Sequence, residues 1–201
     1  MKTANDYFPH PVFAADANNL PRVLLAPQRY IQGNGVLDHM GGYLSLLSAR
    51  RAGILVSTRG QQADGARVID SLANAGIKPV ISTFNGECSL DEINLHAGKL
   101  ESKSVDCLIA IGGGKCVDTG KCIAYRLGVP VVIVPTLASN DAPSSALSVL
   151  YTPEGVSSGV EFFPDNPALV VVDTGVVAKA SERYLVAGMG DAMARWWQWA
   201  P

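Results

Sequence analysis

An apolar run that breaks into three consecutive glycines and a lysine constrains this chain more than any other stretch. It reads Leu108-Ile-Ala-Ile-Gly-Gly-Gly-Lys-Cys-Val-Asp-Thr-Gly-Lys121. A buried strand ending in Gly112, Gly113 and Gly114 lets backbone amides approach a bound group with no Cβ atom in the way. A helix that starts at once aims its N-terminal N–H groups and dipole at the same spot, which favours a phosphate or pyrophosphate. Lys115 adds a full positive charge there. The residues alone also fit a tight strand-to-helix turn with a solvated lysine.

Spacing excludes two other glycine-rich phosphate loops. A P-loop needs Gly-x-x-x-x-Gly-Lys-Ser/Thr, but Ile109 stands at its first glycine and Cys116 at its hydroxyl residue. The Gly-x-Gly-x-x-Gly fingerprint fails at Val117.

The strand-to-helix pattern recurs. Gly53 to Ser57 reads as a short buried strand, and Gln61 to Ala75 has apolar positions at helical spacing before Gly76. Pro79 to Phe84 is the next strand. Ser89 with Glu92 forms a capping-box pattern opening a helix through Leu100. Val105 to Ile111 and Val129 to Val134 are further strands around a helix from Lys115 to Leu127, stopped by Gly128. Such alternation predicts an α/β fold with a mostly parallel sheet and flanking helices. Ligands of these sheets bind at the carboxyl ends of strands. Gly112 to Lys115 and Pro135 to Asp141 both follow strands, so both should open on one edge.

Beyond residue 142 the pattern changes. Ala146 to Tyr151 and Gly159 to Phe163 read as a hairpin or a pair of meander strands. Ala168 to Asp173 is again a buried strand, and Arg183 to Trp199 a final helix. The chain ends within it, at a segment holding all three tryptophans, and reads as one that stops early. The organisation expected is a polar extension over 1–21, an α/β domain over 22–180, and a helix over 181–201.

The composition, 48% hydrophobic and 17% charged with a net charge of −2, describes a folded domain with a large core over its 201 residues. It gives no attraction to nucleic acid or to an anionic membrane. Asp6, His10 and Asp16 interrupt the N-terminus, so no secretory signal is expected and the protein should be cytoplasmic. The four cysteines, Cys88, Cys107, Cys116 and Cys122, form no Cys-x-x-Cys pair and should be reduced and largely buried. His10, His39 and His96 are scattered and expected at the surface.

Several ordered motifs together carry a resemblance. They are Gly112-Gly-Gly-Lys-Cys-Val-Asp118, Pro135-Thr-Leu-Ala-Ser-Asn-Asp-Ala-Pro143, Ser145-Ala-Leu-Ser-Val-Leu-Tyr-Thr152 and Gly188-Met-Gly-Asp-Ala-Met-Ala194, supported by Tyr30-Ile-Gln-Gly33 and Phe84-Asn-Gly-Glu-Cys88. The combination resembles the group III, metal-dependent alcohol dehydrogenases, and within them the glycerol dehydrogenase branch, over about residues 22 to 198. The resemblance implies a Rossmann-like nucleotide-binding domain of the dehydroquinate synthase-like/iron-alcohol dehydrogenase type, without the family's helical C-terminal domain. It implies oxidation of glycerol to dihydroxyacetone with NAD as hydride acceptor, aided by Zn²⁺, in a homo-oligomer acting on a small polyol.

By the same resemblance, Gly112, Gly113, Gly114, Lys115 and Asp118 belong to the cofactor site, with Gly114 and Lys115 on the pyrophosphate. Thr136, Ser139, Ser145, Leu147 and Tyr151 line the cofactor. Asp141 would face the substrate hydroxyls and Asp191 would bind the metal. Read from the residues alone, Asp141 also fits an Asx turn or helix cap, and Asp191 reads as a helix cap.

Two departures stand out. The family completes its zinc site with two histidines, and no histidine follows residue 96 here; three protein ligands are usual, so this chain alone is expected to retain zinc poorly. The acid that NAD-dependent members carry after the first buried strand corresponds to Thr58, followed by Arg59. Losing it removes repulsion against a 2′-phosphate and admits NADP, unless Arg59 is merely a solvated loop charge. A non-catalytic nucleotide-binding fragment and a dehydrogenase of another hydroxy compound remain open at this point.

Overall fold

The computed structural model describes residues 26–199, the last five by their backbone only. The extension expected over 1–21, His10 and the tryptophan side chains lie outside the described residues.

Strand β1 (Tyr30–Gly33) is followed by a 3-10 turn and the short helix α1 (Met40–Leu44). Then come β2 (Arg51–Val56), β3 (Lys78–Thr83), β4 (Cys107–Gly112) and β5 (Val131–Pro135). Helix α2 joins β2 to β3. It opens with an α-turn at Thr58–Gly60, passes through a π segment at Gln61–Gly65 and continues as Ala66–Asn74. It therefore starts three residues before the apolar spacing predicts, because the Ser57 side chain accepts the Gly60 N–H and caps it. Helices α3 (Leu90–Glu101) and α4 (Gly114–Leu127) make the next two crossovers.

A 3-10 turn at Ala142–Ser144 leads to the hairpin β6 (Leu147–Tyr151) and β7 (Ser157–Phe162). Strand β8 (Leu169–Asp173), the short helix α5 (Thr174–Val177) and helix α6 (Glu182–Trp199) follow. No helix among the described residues is long and apolar enough to cross a membrane.

Six strands form one sheet in the order β1-β8-β5-β4-β2-β3, with every neighbouring pair parallel. The continuous apolar runs of β2 and β4 follow from burial on both faces. Ile54, Val56, Ile109 and Ile111 pack with Leu37, Met40, Val68 and Leu72 on one side. On the other, Leu55 and Leu108 pack with Ile93, Leu100, Cys122 and Ile123. The expected α/β architecture is thus observed, with helices on both faces.

The chain winds from β2 outward to β3, then returns past β2 to β4 and onward to β5. This reversal between β2 and β4 opens a crevice at their carboxyl ends, where open parallel sheets place ligands.

The hairpin packs beside α4 through a buried ion pair. The Arg126 guanidinium donates to both oxygens of Glu161 at 3.0 and 2.6 Å. Burial disfavours the Arg126 charge, and the paired Glu161 carboxylate more than restores it, holding the guanidinium firmly protonated.

The histidine expectation needs correction. His39 is exposed, but His96 is fully buried. Its ring bonds Ser82 Oγ at 2.6 Å and Glu92 Oε1 at 2.9 Å. Position on the inner face of α3 decided this, with polar partners offsetting the burial of the ring. The capping box forms only by half. Ser89 Oγ accepts the Glu92 N–H, while the Glu92 carboxylate turns away to His96 and to the backbone and side-chain amides of Asn85.

Candidate functional site

The two glycine- and hydroxyl-rich segments start side by side. Gly112 is in register with Pro135 at the ends of β4 and β5, and the Thr136 N–H donates to the Gly112 carbonyl at 3.0 Å. A cavity of about 870 Å³ opens over these strand ends. Its walls come from the loops after β2 (Ser57, Gly60), β3 (Phe84, Asn85, Gly86), β4 (Gly112–Lys115) and β5 (Thr136–Ala142).

None of the three glycines has positive φ, a conformation held by Gly35, Gly76, Gly86, Gly128 and Gly155. Their need is close approach. A Cβ on Gly112 would fall 2.7 Å from the Cys116 Cβ, and one on Gly114 would lie 3.0 Å from Asn140 Nδ2. The bare backbone lets α4 start at Gly114 immediately after the strand, with Gly113 as an extended N-cap and no side chain over the first N–H groups. The open N–H groups and positive dipole end of a helix start of this kind favour an anion.

Of the residues expected to hold a cofactor, Gly112, Gly113, Gly114, Lys115, Asp118, Thr136, Ser139, Ser145, Leu147 and Tyr151 all line this one cavity. Lys115 is the one cation among its lining residues, with Nζ 5.1 Å from the Tyr151 ring centroid. Asp118 stands differently. It is buried in α4, and its carboxylate pairs with Lys121 Nζ at 2.8 Å and accepts the Val149 N–H at 3.2 Å. Burial raises the Asp118 carboxyl, an effect that Lys121 only partly offsets. Lys121 in turn donates to the Ala142 carbonyl at 2.9 Å, to Ser145 Oγ at 3.1 Å and to the Leu147 carbonyl. This pair ties the cavity floor to the loop that carries Asp141.

Asp141 and Asp191 meet at the same cavity. The Asp141 N–H donates to Asp191 Oδ2 at 3.2 Å. Asp141 precedes the 3-10 turn without capping it. Asp191 lies well inside α6, so the cap that its neighbouring glycines suggest is not its role. Gly188 explains how α6 reaches the loop: a Cβ there would fall 2.3 Å from the Ala138 carbonyl oxygen. Among the described residues, no group of three His, Cys, Asp or Glu is placed to hold a metal ion. Asp191 and Asp141 alone fall short of the three ligands that a catalytic zinc uses.

Thr58 and Arg59 are exposed at the start of α2. Arg59, Arg67 and Lys179 line an adjoining chamber of about 920 Å³, together with Asp64 and Asp173; this chamber shares Ser57, Gly60 and Thr136 with the main cavity. The motifs quoted from the sequence include Phe84, Gly86 and Asn140 without a site role and leave out Tyr184, yet all four line the main cavity. Phe84, Gly86 and Asn140 follow strand ends, the signal that could have found them. Tyr184 comes from α6, which only the tertiary fold brings over the loop. Cys116, beneath the glycine turn, has its thiol pushed up to about 12 by burial and by nearby Cys88. It is a packing residue and not a nucleophile.

Comparison with known proteins agrees with this geometry. The family described as iron-containing alcohol dehydrogenase matches residues 27–174. Glycerol dehydrogenase of Thermotoga maritima is 45% identical over 172 residues, covering 86% of this chain and 46% of that protein. Glycerol dehydrogenase of Escherichia coli is 42% identical over 180 residues, covering 89% and 48%. The solved glycerol dehydrogenase of Schizosaccharomyces pombe superimposes with a TM-score of 0.80 at 35% identity, covering 88% of this chain and 44% of that one. The chain thus spans about half the length of the curated relatives it matches. On its sequence, its sheet order and its cavity, this chain belongs to the iron-containing alcohol dehydrogenase family.

Proposed function

We propose that the cavity binds a nicotinamide dinucleotide, NAD, and that the chain provides the cofactor-binding part of a glycerol dehydrogenase. The diphosphate lies against the α4 N-terminus at Gly112–Lys115. Thr136, Ser139, Ser145, Leu147 and Tyr151 line the remainder, and Asp141 faces the polyol hydroxyls. The bound cofactor supplies the hydride acceptor for oxidation of the alcohol to dihydroxyacetone. This chain's residues bind and orient. Asp191 is assigned toward the family's metal, but these residues do not make up a metal site, so the role given to this chain ends at alignment.

One observation carries the reading. The triple-glycine turn and the Thr136–Asp141 loop converge on a single cavity at the reversal of strand order. Names of relatives alone would not distinguish the cofactor site from the many other surfaces of the fold.

Titration with NADH tests it. Wild type should bind at one site, and Lys115→Ala should weaken binding about tenfold by removing a charged hydrogen-bond donor from the diphosphate. Absence of NADH binding to a folded chain would reject the assignment. Binding without turnover of glycerol would favour the alternative of a non-catalytic nucleotide-binding unit. Turnover of a different hydroxy compound would favour the related dehydrogenase.

The adjoining chamber supports NADP as a second cofactor. Arg59 and Lys179 line it beside Asp64 and the Arg67-paired Asp173, and no acid occupies position 58, so a 2′-phosphate placed at Arg59 or Lys179 would meet a cation. Parallel titrations with NADH and NADPH decide this, and a clear preference for NADH removes it.

A further inference from the structure

Lys115 is already paired. Its Nζ lies 2.5 Å from Glu87 Oε1, joining the α4 N-terminus to the loop after β3. Glu87 itself does not line the main cavity. The loop that carries it is held at several points. Glu92 accepts from the backbone and side-chain amides of Asn85 at 2.7 and 3.2 Å, and the Tyr151 N–H donates to the Cys88 carbonyl at 2.9 Å. The second Glu87 oxygen, Oε2, is buried without a hydrogen-bond partner. Lys115 is therefore the counter-ion on which this carboxylate depends.

A diphosphate entering the cavity asks for the same ammonium group. We propose that Glu87 is a resident competitor for Lys115, which the diphosphate of the dinucleotide must displace. In the free protein the Glu87 carboxylate holds Lys115 beside Tyr151. On binding, the ammonium moves toward the phosphate oxygens, and Glu87 loses its partner. The cost of leaving a partly buried carboxylate unpaired is subtracted from the affinity. When Lys115 returns to Glu87, the dinucleotide is released. Glu87 is thus a positioning residue that acts through Lys115 and sets how fast the cofactor leaves. A pair this accessible, with side chains 44% and 30% exposed, gives a modest effect.

The inference rests on the dinucleotide reading, and the test separates the two. Calorimetric titrations with NADH, and separately with inorganic pyrophosphate, would be run on wild type, Glu87→Gln, Lys115→Ala and the double variant. Glu87→Gln should bind both probes about fivefold more tightly than wild type. Stopped-flow should place the gain in slower dissociation. In the Lys115→Ala background the Glu87 substitution should change nothing, and Glu87→Asp should return affinity toward wild type. Equal or weaker binding by Glu87→Gln, or the same gain without Lys115, overturns the proposal. Wild type that binds pyrophosphate but not NADH rejects the dinucleotide reading while the pyrophosphate series still decides the role of Glu87. Binding of neither probe rejects both.

Discussion

The backbone N–H of Asp141 donates to Asp191 Oδ2 at 3.2 Å, fixing the loop after β5 against the interior of α6. Two carboxylates from opposite ends of a 50-residue separation thereby share one cavity wall. The contact depends on the close approach of the helix at Gly188.

Gly188→Ala should push α6 off this loop, because the new methyl would meet the Ala138 carbonyl at 2.3 Å and backbone cannot yield cheaply. The cost expected is about 1–3 kcal/mol. Hydrogen exchange should show faster exchange at the Asp141 amide, whereas Gly190→Ala, where no atom lies within 4 Å, should leave it unchanged.

Arg126→Ala leaves Glu161 buried and unpaired. Its side chain is 1% exposed, so the substitution should cost about 3–5 kcal/mol and lower the thermal midpoint by on the order of 10 °C. Replacing both partners with apolar residues of similar volume should recover much of that loss. Thermal unfolding followed by circular dichroism checks both outcomes.

Acid should loosen the cavity wall at β3 before the hydrophobic core opens. Burial raises the Glu92 carboxyl, but hydrogen bonds from His96 and from Asn85 outweigh it and hold it below the usual glutamate range. Asp173 behaves likewise: burial raises it, and the Gly35 and Leu37 amides together with Arg67 bring it lower. Groups with depressed folded values stabilise above their unfolded pKa, about 3.9 for Asp and 4.3 for Glu, and lose that contribution as pH falls through the folded value. Stability should therefore be level from neutral pH to about 5 and decline below about 4. Glu92→Gln should flatten part of the decline in a denaturant series across that range.

All four cysteines are buried and free, and burial, with a smaller contribution from Asp106, pushes the Cys107 thiol up to about 12. A thiol reagent at neutral pH should label the native chain slowly, and denaturant should release four equivalents. Rapid labelling of one thiol in the native protein would contradict the described packing.

Zinc added to the purified chain should bind weakly and leave on gel filtration, since Asp191 and Asp141 are short of a three-ligand set. Elemental analysis measures the retained stoichiometry. Asp191→Asn should reduce whatever weak binding is found without removing the NADH site.

Much of the α/β order was legible because parallel strands buried on both faces leave continuous apolar runs, as in Leu108 to Ile111. The glycine turn was legible because its position after such a run leaves few alternatives. The exceptions are informative. His96 shares the helical stripe of Ile93, Ala97 and Leu100, and Glu92 one turn earlier on α3 bonds it, but its Ser82 partner arrives only when β3 and α3 pack together. Asp191 resembled a cap because glycines precede it, yet the reason for Gly188 is a contact with Ala138 far upstream in the chain.

Local chemistry in the sequence determined which segments become strands and helices, where the glycine turn falls, and which motifs belong to the family. Periodicity and backbone sterics act within a few residues, so they can be read there. The tertiary structure alone decided that Glu87 stands against Lys115, that Asp141 and Asp191 touch, and that a chamber lined by Arg59 and Lys179 adjoins the cavity. Those relationships depend on strand order and on the register that sets Gly112 beside Pro135, which no short window of residues encodes.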